Sequence, residues 1–339
     1  MRHLLSRLYA AAARRRRRHF ATHPSARRRL RSPVVSVGAL NAGGSGKTPV
    51  TAEVARRLVA MGERPAVLSR GYRREEPVDG AVVVRDHEMV RGRLETAGDE
   101  PWMLAQQLDG VAVVVALDRH LAGTLAESRL GATVHVLDDG FQHLALERAV
   151  DLVVVRPGDL DDAVLPAGRL RESLTTVVEA DATLIVDPDA GVRARVAERL
   201  GVSTSFGVTM TLQSPLVRSP GAAEEEVPAG TPVFAVAGIA DPGRFVRDLS
   251  DGGWAPSGTA FFSDHHPYTG ADLQRCVRQA EAAGAQVIVT TEKDWVRLLR
   301  WLPTTIPVAV ARLKTDVESA NDLDRLLADG LAAVRERVA

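Results

Sequence analysis

Residues 34–50 read VVSVGALNAGGSGKTPV. An apolar run leads into a glycine-rich loop, then Gly46-Lys47-Thr48. Over residues 48–61 the spacing of Val50, Val54 and Leu58 then predicts a helix, with Gly62 as its stop. This is the layout of a phosphate-binding loop. Small residues at Asn41, Ala42, Gly43, Gly44, Ser45 and Gly46 let backbone N–H groups wrap phosphate oxygens at a helix N-terminus. Lys47 would reach the β- and γ-phosphates and the Thr48 hydroxyl would ligate Mg²⁺. Pro49 suits the first helical turn, where its missing N–H costs nothing. Asn41 stands where the general pattern has glycine; asparagine tolerates left-handed backbone, so the loop can still form.

Such a loop needs a carboxylate at the end of a neighbouring strand to organise Mg²⁺. Residues 133–140, TVHVLDDG, supply Asp138 and Asp139. Asp-Asp-Gly in isolation is a common turn; beside Gly-Lys-Thr it reads as a Walker-B pair. Ligands in open α/β sheets collect at the carboxyl ends of strands. Two further clusters stand there: Ser69-Arg70-Gly71-Tyr72 and Asp118-Arg119-His120. Arg70 and Arg119 could bind phosphate bidentately, and a surface ion pair accounts for each equally well. Asp99, before Pro101, reads as a helix N-cap or as a general base taking a proton from an attacking hydroxyl. In residues 261–268, FFSDHHPY, Asp264, His265 and His266 lack further ligands at zinc spacing, so a histidine hydrogen-bonded to a carboxylate is the better reading. The cluster Thr290-Thr291-Glu292-Lys293-Asp294 also ends an apolar run and has no assignable chemistry of its own.

The elements that must position these residues alternate. Strand-length apolar runs occupy 34–40, 65–72, 81–85, 111–117, 132–138, 152–156 and 182–186, with helical stretches between them. Near-continuous apolar strands are buried on both faces, as in a parallel sheet. The fold class is therefore α/β, a P-loop NTPase-like parallel sheet flanked by helices. Residues 216–230, LVRSPGAAEEEVPAG, read as a connector. Beyond it the alternation restarts at 232–236, 286–290 and 307–311 and closes with a helix over 323–338, giving a second, smaller α/β domain. The expected division is an arm at 1–31, a P-loop domain at 32–215, the connector, and a second domain at 231–339.

The whole chain has 339 residues, 45% hydrophobic and 25% charged, with 43 basic and 43 acidic side chains. That excludes a mainly disordered chain, and the single cysteine, Cys276, excludes an intrachain disulfide. No apolar run approaches the roughly 20 residues that span a bilayer. Residues 1–31 hold 11 arginines and no acid, leaving a net charge of −11 on the remainder. A basic arm on an acidic body suits a polyanion, either nucleic acid or an anionic membrane surface. Leu4, Leu5, Leu8, Tyr9 and Ala12 form a stripe at helical spacing. The arm is thus either a basic amphipathic helix lying in a membrane interface or a helix packed on the protein with a solvated arginine run. Its short apolar stretch has no cleavage site, so it reads as retained.

Taken in order, VGALNAGGSGKTP, LSRGYRR, GDEPWMLA, LDDGFQH, LPAGRLRE, AGIADPGRF, FFSDHHPYT and TTEKDWVRL resemble the tetraacyldisaccharide 4′-kinases, the lipid A 4′-kinases of Gram-negative bacteria. The resemblance runs from about residue 34 to 298. It implies transfer of phosphate from ATP, with Mg²⁺, to the 4′-hydroxyl of a tetraacyldisaccharide 1-phosphate at the cytoplasmic face of the inner membrane. By position it implies Lys47 and Thr48 on nucleotide and metal, Asp138 and Asp139 as Walker-B acids, and Asp99 as base, assisted by His265 from a second domain closing over the site. Arg119, Gln142, Arg171 and Glu172 match positions around the reacting phosphates and substrate. It also implies a peripheral membrane arm, and no nucleic-acid or protein partner. Two other classes were weighed. A GTPase would need an Asn/Thr-Lys-x-Asp motif, and in Lys293-Asp294 the two residues are adjacent. A nucleic-acid ATPase would need aromatics for base stacking, and Phe20 stands alone between Arg14 and Arg31.

Overall fold

The computed structural model describes residues 2–72, 74–217 and 224–338. The chain forms two compact units: residues 1–210 with 315–339, and residues 211–314.

The first unit opens with α1 (Arg2–Thr22), followed by β1 (Val34–Ala39), α2 (Lys47–Ala60), β2 (Pro65–Ser69) and β3 (Ala81–Arg85). Next come α3 (Leu94–Ala97), α4 (Asp99–Gln107), β4 (Ala112–Ala116), α5 (Arg119–Leu130), β5 (Val134–Asp138), β6 (Val150–Val155), β7 (Ala182–Val186), α6 (Ala190–Leu200) and β8 (Ser205–Leu212). The strands join, with the later β15 (Leu313–Val317), into one nine-stranded sheet in the order β15-β8-β7-β6-β1-β5-β2-β4-β3. β1, β2, β4, β5 and β7 are buried at every position, as the continuous apolar runs require. β3 departs from that expectation: it is an antiparallel edge strand on β4, half-exposed over its first three residues. β5 lies directly beside β1, in register Val37↔Asp138, which brings the end of the Asp138 strand next to the loop leaving β1.

The second unit holds β9 (Leu216–Val217), β10 (Glu225–Glu226), β11 (Pro232–Ala237), α7 (Pro242–Asp251), β12 (Ala255–Phe261), α8 (Gly270–Ala282), β13 (Val287–Thr291), α9 (Glu292–Leu298) and β14 (Val308–Ala311). Its six-stranded sheet runs β10-β9-β14-β13-β11-β12, with parallel pairing among the last four strands. The chain ends in α10 (Ala320–Val338).

Three boundaries differ from the sequence reading. The connector at 216–230 contributes β9 and β10 to the second sheet; its residues 218–223 lie outside the described residues. α10 belongs to the first unit, because Leu323, Leu327 and Leu331 are fully buried in the core formed by Val35, Val54, Leu152 and Val208. Each such leucine contributes roughly 1.5–3 kcal/mol on leaving water. Residues 27–31, assigned to the arm, also belong to the first unit. Arg28 N–H donates to Ala145 O at 2.8 Å and Arg28 O accepts from Glu147 N–H at 2.9 Å. Leu30 packs against Gly123 so closely that a Cβ there would meet its Cδ1 at 2.3 Å.

Candidate active site

The glycine-rich loop takes its turn at Gly44 (φ 70°) and Gly46 (φ 83°), the last residue before α2. A side chain at Gly46 would meet only the flexible ends of Met210 (Cε, 2.7 Å) and Arg156 (Nη2, 3.1 Å), so it is the left-handed backbone that favours glycine there. Asn41 does not adopt left-handed backbone; it acts through its side chain, donating from Nδ2 to Asp159 Oδ1 at 2.6 Å and tying the loop to the segment after β6. Arg156 was not foreseen. Its Nε donates to Ser45 O at 3.0 Å and braces the loop from the same side.

Lys47 begins α2, with its ammonium 3.3 Å from Ser45 Oγ and 3.6 Å from Asp139 Oδ1. Asp138, the buried last residue of β5, accepts from Thr51 Oγ1 at 3.1 Å. That hydroxyl lies one helical turn beyond Thr48 and was not singled out in the sequence. Burial, with the negative charges of Glu100 and Asp139, pushes the Asp138 carboxyl well above the usual carboxylate range. Asp139 follows in left-handed backbone (φ 57°). Burial would raise it, but Lys47 and Arg171 outweigh burial and hold its carboxyl below the ordinary value. Arg171 Nη1 donates to Asp139 Oδ2 at 2.7 Å and to Gln142 Oε1 at 3.2 Å, while Gln142 Nε2 donates to Ala39 O at 3.1 Å. The buried Asp138 and the half-buried Asp139, adjacent at the mouth of a glycine-rich loop, offer hard oxygen donors of the kind Mg²⁺ takes. Asp139 Oδ1 is buried with no hydrogen-bond partner, only the ion pair to Lys47, as an atom meant for a cation would be.

Arg119 is buried at the start of α5, and its Nη1 donates to Leu117 O at 3.1 Å. Burial and the neighbouring Arg70 lower its pKa, while Asp139 and Asp138 act the other way, so Arg119 lies within electrostatic reach of the acid pair with Arg70 beside it. Asp118 and His120 are structural. Asp118 caps α5, and both side chains hold Arg28, at 2.5 and 2.7 Å.

Asp99 is the first residue of α4; Gly98 (φ 85°) is its cap, which removes the cap reading of Asp99. A Cβ on Gly98 would touch Tyr72 O at 3.0 Å. Asp99 therefore starts its helix against the loop that carries Arg70. Glu172, matched by the resemblance to a position around the reacting phosphates and substrate, has its partner on α1. It is buried, and its Oε2 accepts from Arg17 Nε at 2.7 Å.

In the second unit, His265 sits in left-handed backbone (φ 61°) after β12. Its Nε2 lies 3.0 Å from Lys293 Nζ and its Nδ1 lies 3.1 Å from Arg297 Nη2. Lys293 also binds Asp264 at 3.0 Å. Asp294, fully buried, accepts from Gly238 N–H at 2.9 Å and from Thr291 Oγ1 at 2.7 Å, with Arg297 at 3.5 Å. The unassigned 290–294 cluster is thus the support of His265. His266 does different work: it binds Asp272 at 3.2 Å and packs on Phe262 and Tyr268. Among the described residues no group of three or more His, Cys, Asp or Glu side chains is arranged to hold a metal.

The family model for tetraacyldisaccharide-1-P 4′-kinase matches residues 2–332. The chain is 38% identical to the tetraacyldisaccharide 4′-kinase of Desulfotalea psychrophila, covering 90% of this chain and 88% of that one. It is 36% identical to that of Koribacter versatilis, covering 94% of each. The crystal structure of LpxK from Aquifex aeolicus, solved in complex with ATP, superposes with a TM-score of 0.75 at 28% identity, covering 96% of this chain and 97% of that one. With a match along nearly its whole length, the chain belongs to the tetraacyldisaccharide-1-P 4′-kinase family.

Proposed function

We propose that this kinase transfers the γ-phosphoryl group of ATP to the 4′-hydroxyl of a tetraacyldisaccharide 1-phosphate. The observation that carries the reading is the placement of Lys47, Asp138 and Asp139 around one glycine-rich loop in a chain of this family. Backbone N–H groups of residues 43–46 and the Lys47 ammonium would bind the nucleotide phosphates, whereas the Ala42 N–H, expected among them, already donates to Arg169 O at 2.9 Å. Mg²⁺, held by Asp138, Asp139 and the Thr48 hydroxyl, would supply charge neutralisation on the phosphates when bound. Asp99 takes the proton of the 4′-hydroxyl as its oxygen bonds to phosphorus; the bond from phosphorus to the bridging oxygen breaks, and ADP leaves. His265 would serve to orient Asp99 as it takes that proton. Arg70, Arg119, Arg171 and Gln142 counter the charge of the reacting phosphates.

The reading extends to location. Leu4, Leu5, Leu8 and Tyr9 are 43–63% exposed on one end of α1, and Arg14, Arg15, Arg16 and Arg18 are exposed beyond them. Among the described residues no helix is long and apolar enough to cross a membrane. This arrangement suits peripheral attachment to the anionic cytoplasmic face of the inner membrane, at about 1 kcal/mol per basic residue near the surface.

Transfer of radiolabelled γ-phosphate from ATP to a tetraacyldisaccharide 1-phosphate in detergent micelles tests the chemistry. Absence of labelled bisphosphate product from folded protein rejects it. For location, replacing Leu4, Leu5, Leu8 and Tyr9 with serine should release the protein from anionic liposomes while ATP binding persists.

A further inference from the structure

The five consecutive arginines 14–18 are not one charge block: four are exposed and Arg17 alone is buried, at 7% exposure. Two of its three guanidinium nitrogens are committed, and Nη2 is buried without a hydrogen-bond partner. Nε donates to Glu172 Oε2 at 2.7 Å and Nη1 to Glu179 Oε2 at 3.1 Å, so one planar group clamps both ends of residues 172–179. Its face covers the Phe141 ring at 4.3 Å. Next to it, Arg16 Nη1 donates to Gln142 O at 2.8 Å.

The residues gripped are the chain neighbours of the acid pair's partners. Glu172 follows Arg171, which holds Asp139 at 2.7 Å; Phe141 precedes Gln142, which accepts from the same Arg171. Leu40, at the mouth of the glycine-rich loop, accepts the Arg171 N–H at 2.6 Å. A rigid helix runs from Arg17 back about 18 Å to the exposed Leu5. We propose that Arg17 is a positioning residue, which fixes Arg171 on Asp139 beside Lys47 by holding Glu172 and Phe141, and so makes the seat of the N-terminal helix part of the nucleotide site. The proposal deepens the kinase reading and rests on it. A buried ion pair retained to fix register is a known use of such pairs; removing Arg17 strands the buried Glu172 carboxylate, whereas removing Glu172 leaves Arg17 only the exposed Glu179 as partner.

The test uses full-length protein with micellar acceptor, so that delivery to a membrane plays no part. Arg17→Met and Glu172→Gln should each lower kcat at least tenfold and weaken the affinity for a fluorescent ATP analogue several-fold, while binding to anionic liposomes persists. Ser6→Ala removes another fixing of α1, the bond from Ala167 N–H to Ser6 Oγ at 3.1 Å, and should leave kcat unchanged. The double variant Arg17→Met/Glu172→Gln strands no charge, so its Tm should return toward the wild-type value while kcat and nucleotide affinity stay low. Recovery of kcat along with Tm would show that the pair is only structural and overturn the proposal, as would wild-type kcat in either folded single variant. Nucleotide affinity is read without turnover. If the wild-type protein transfers no phosphate to the disaccharide, the functional reading fails, and Arg17 still stands or falls on the affinity of its variants.

Discussion

At the carboxyl ends of the nine-stranded sheet stand Asp138 and Asp139, answered by Lys47, Arg171 and Arg119. At the carboxyl ends of the six-stranded sheet stand Lys293, Arg297 and His265, answered by Asp264 and Asp294. Both places follow from the same rule, that parallel α/β sheets leave their polar loops at one end. The difference lies in the helix that follows. α2 opens on a glycine-rich loop and Gly46, with no side-chain cap, whereas Thr291 closes the start of α9 by accepting from Asp294 N–H at 3.2 Å. The topology supplies a location; loop chemistry decides whether that location binds an anion or holds a side chain.

The largest expected effect breaks the comparison from the first sheet's side. Asp99→Asn should lower kcat by roughly 10²–10⁴-fold with Tm and ATP affinity retained, because the amide cannot take the hydroxyl's proton and Gly98 already holds the cap. Near-wild-type turnover would move the base elsewhere along the strand ends. Lys47→Ala should cost roughly 10²–10³-fold or more in phosphoryl transfer, the scale for losing a donor to developing charge. A folded variant with full activity sinks the kinase reading.

The second sheet is sharpened by its two adjacent histidines. His265→Ala should lose a comparable or smaller factor than Asp99→Asn, and on the proposed dyad the double variant should be scarcely worse than the poorer single. Effects that multiply would remove the dyad and leave the base. His266→Ala, which removes packing against Phe262 and Tyr268, should lower Tm and spare kcat.

The smallest effect is one of pH. Thr269 and His266 hold the Asp272 carboxyl down at about 2, below its ordinary 3.8. A depressed carboxylate stabilises the fold above its unfolded pKa and loses that contribution as pH falls through the folded one. Asp272→Asn should therefore lower Tm most above about pH 4 and converge with wild type toward pH 2. A constant Tm gap across that range would show that the charge of Asp272 contributes nothing.

The phosphate loop could be read directly because its chemistry is local: a strand, the glycines, Lys47 and a helix follow one another within seventeen residues, 34–50. Asp138-Asp139 was legible for the same reason, as a strand end in a protein already known to need one. Strands β8, β12 and β15 were missed, since the sequence was searched for continuous apolar runs. β12 and β15 are edge strands with exposed or half-exposed residues at almost every position, and β8 alternates.

What the sequence determined alone is the set of elements and contacts fixed by neighbours in the chain, where period, glycine placement and apolar runs act within a few residues. What only the tertiary structure decided is every pairing across distance. It chose which of five identical arginines is buried, turned Glu172 toward α1, and set Thr51 on Asp138 and Arg156 on Ser45. It also placed α10 in the first unit, because a leucine stripe states that a helix will be buried but not against which sheet. Partners 50 to 160 residues apart meet through packing, and packing is a property of the folded whole that no local window contains.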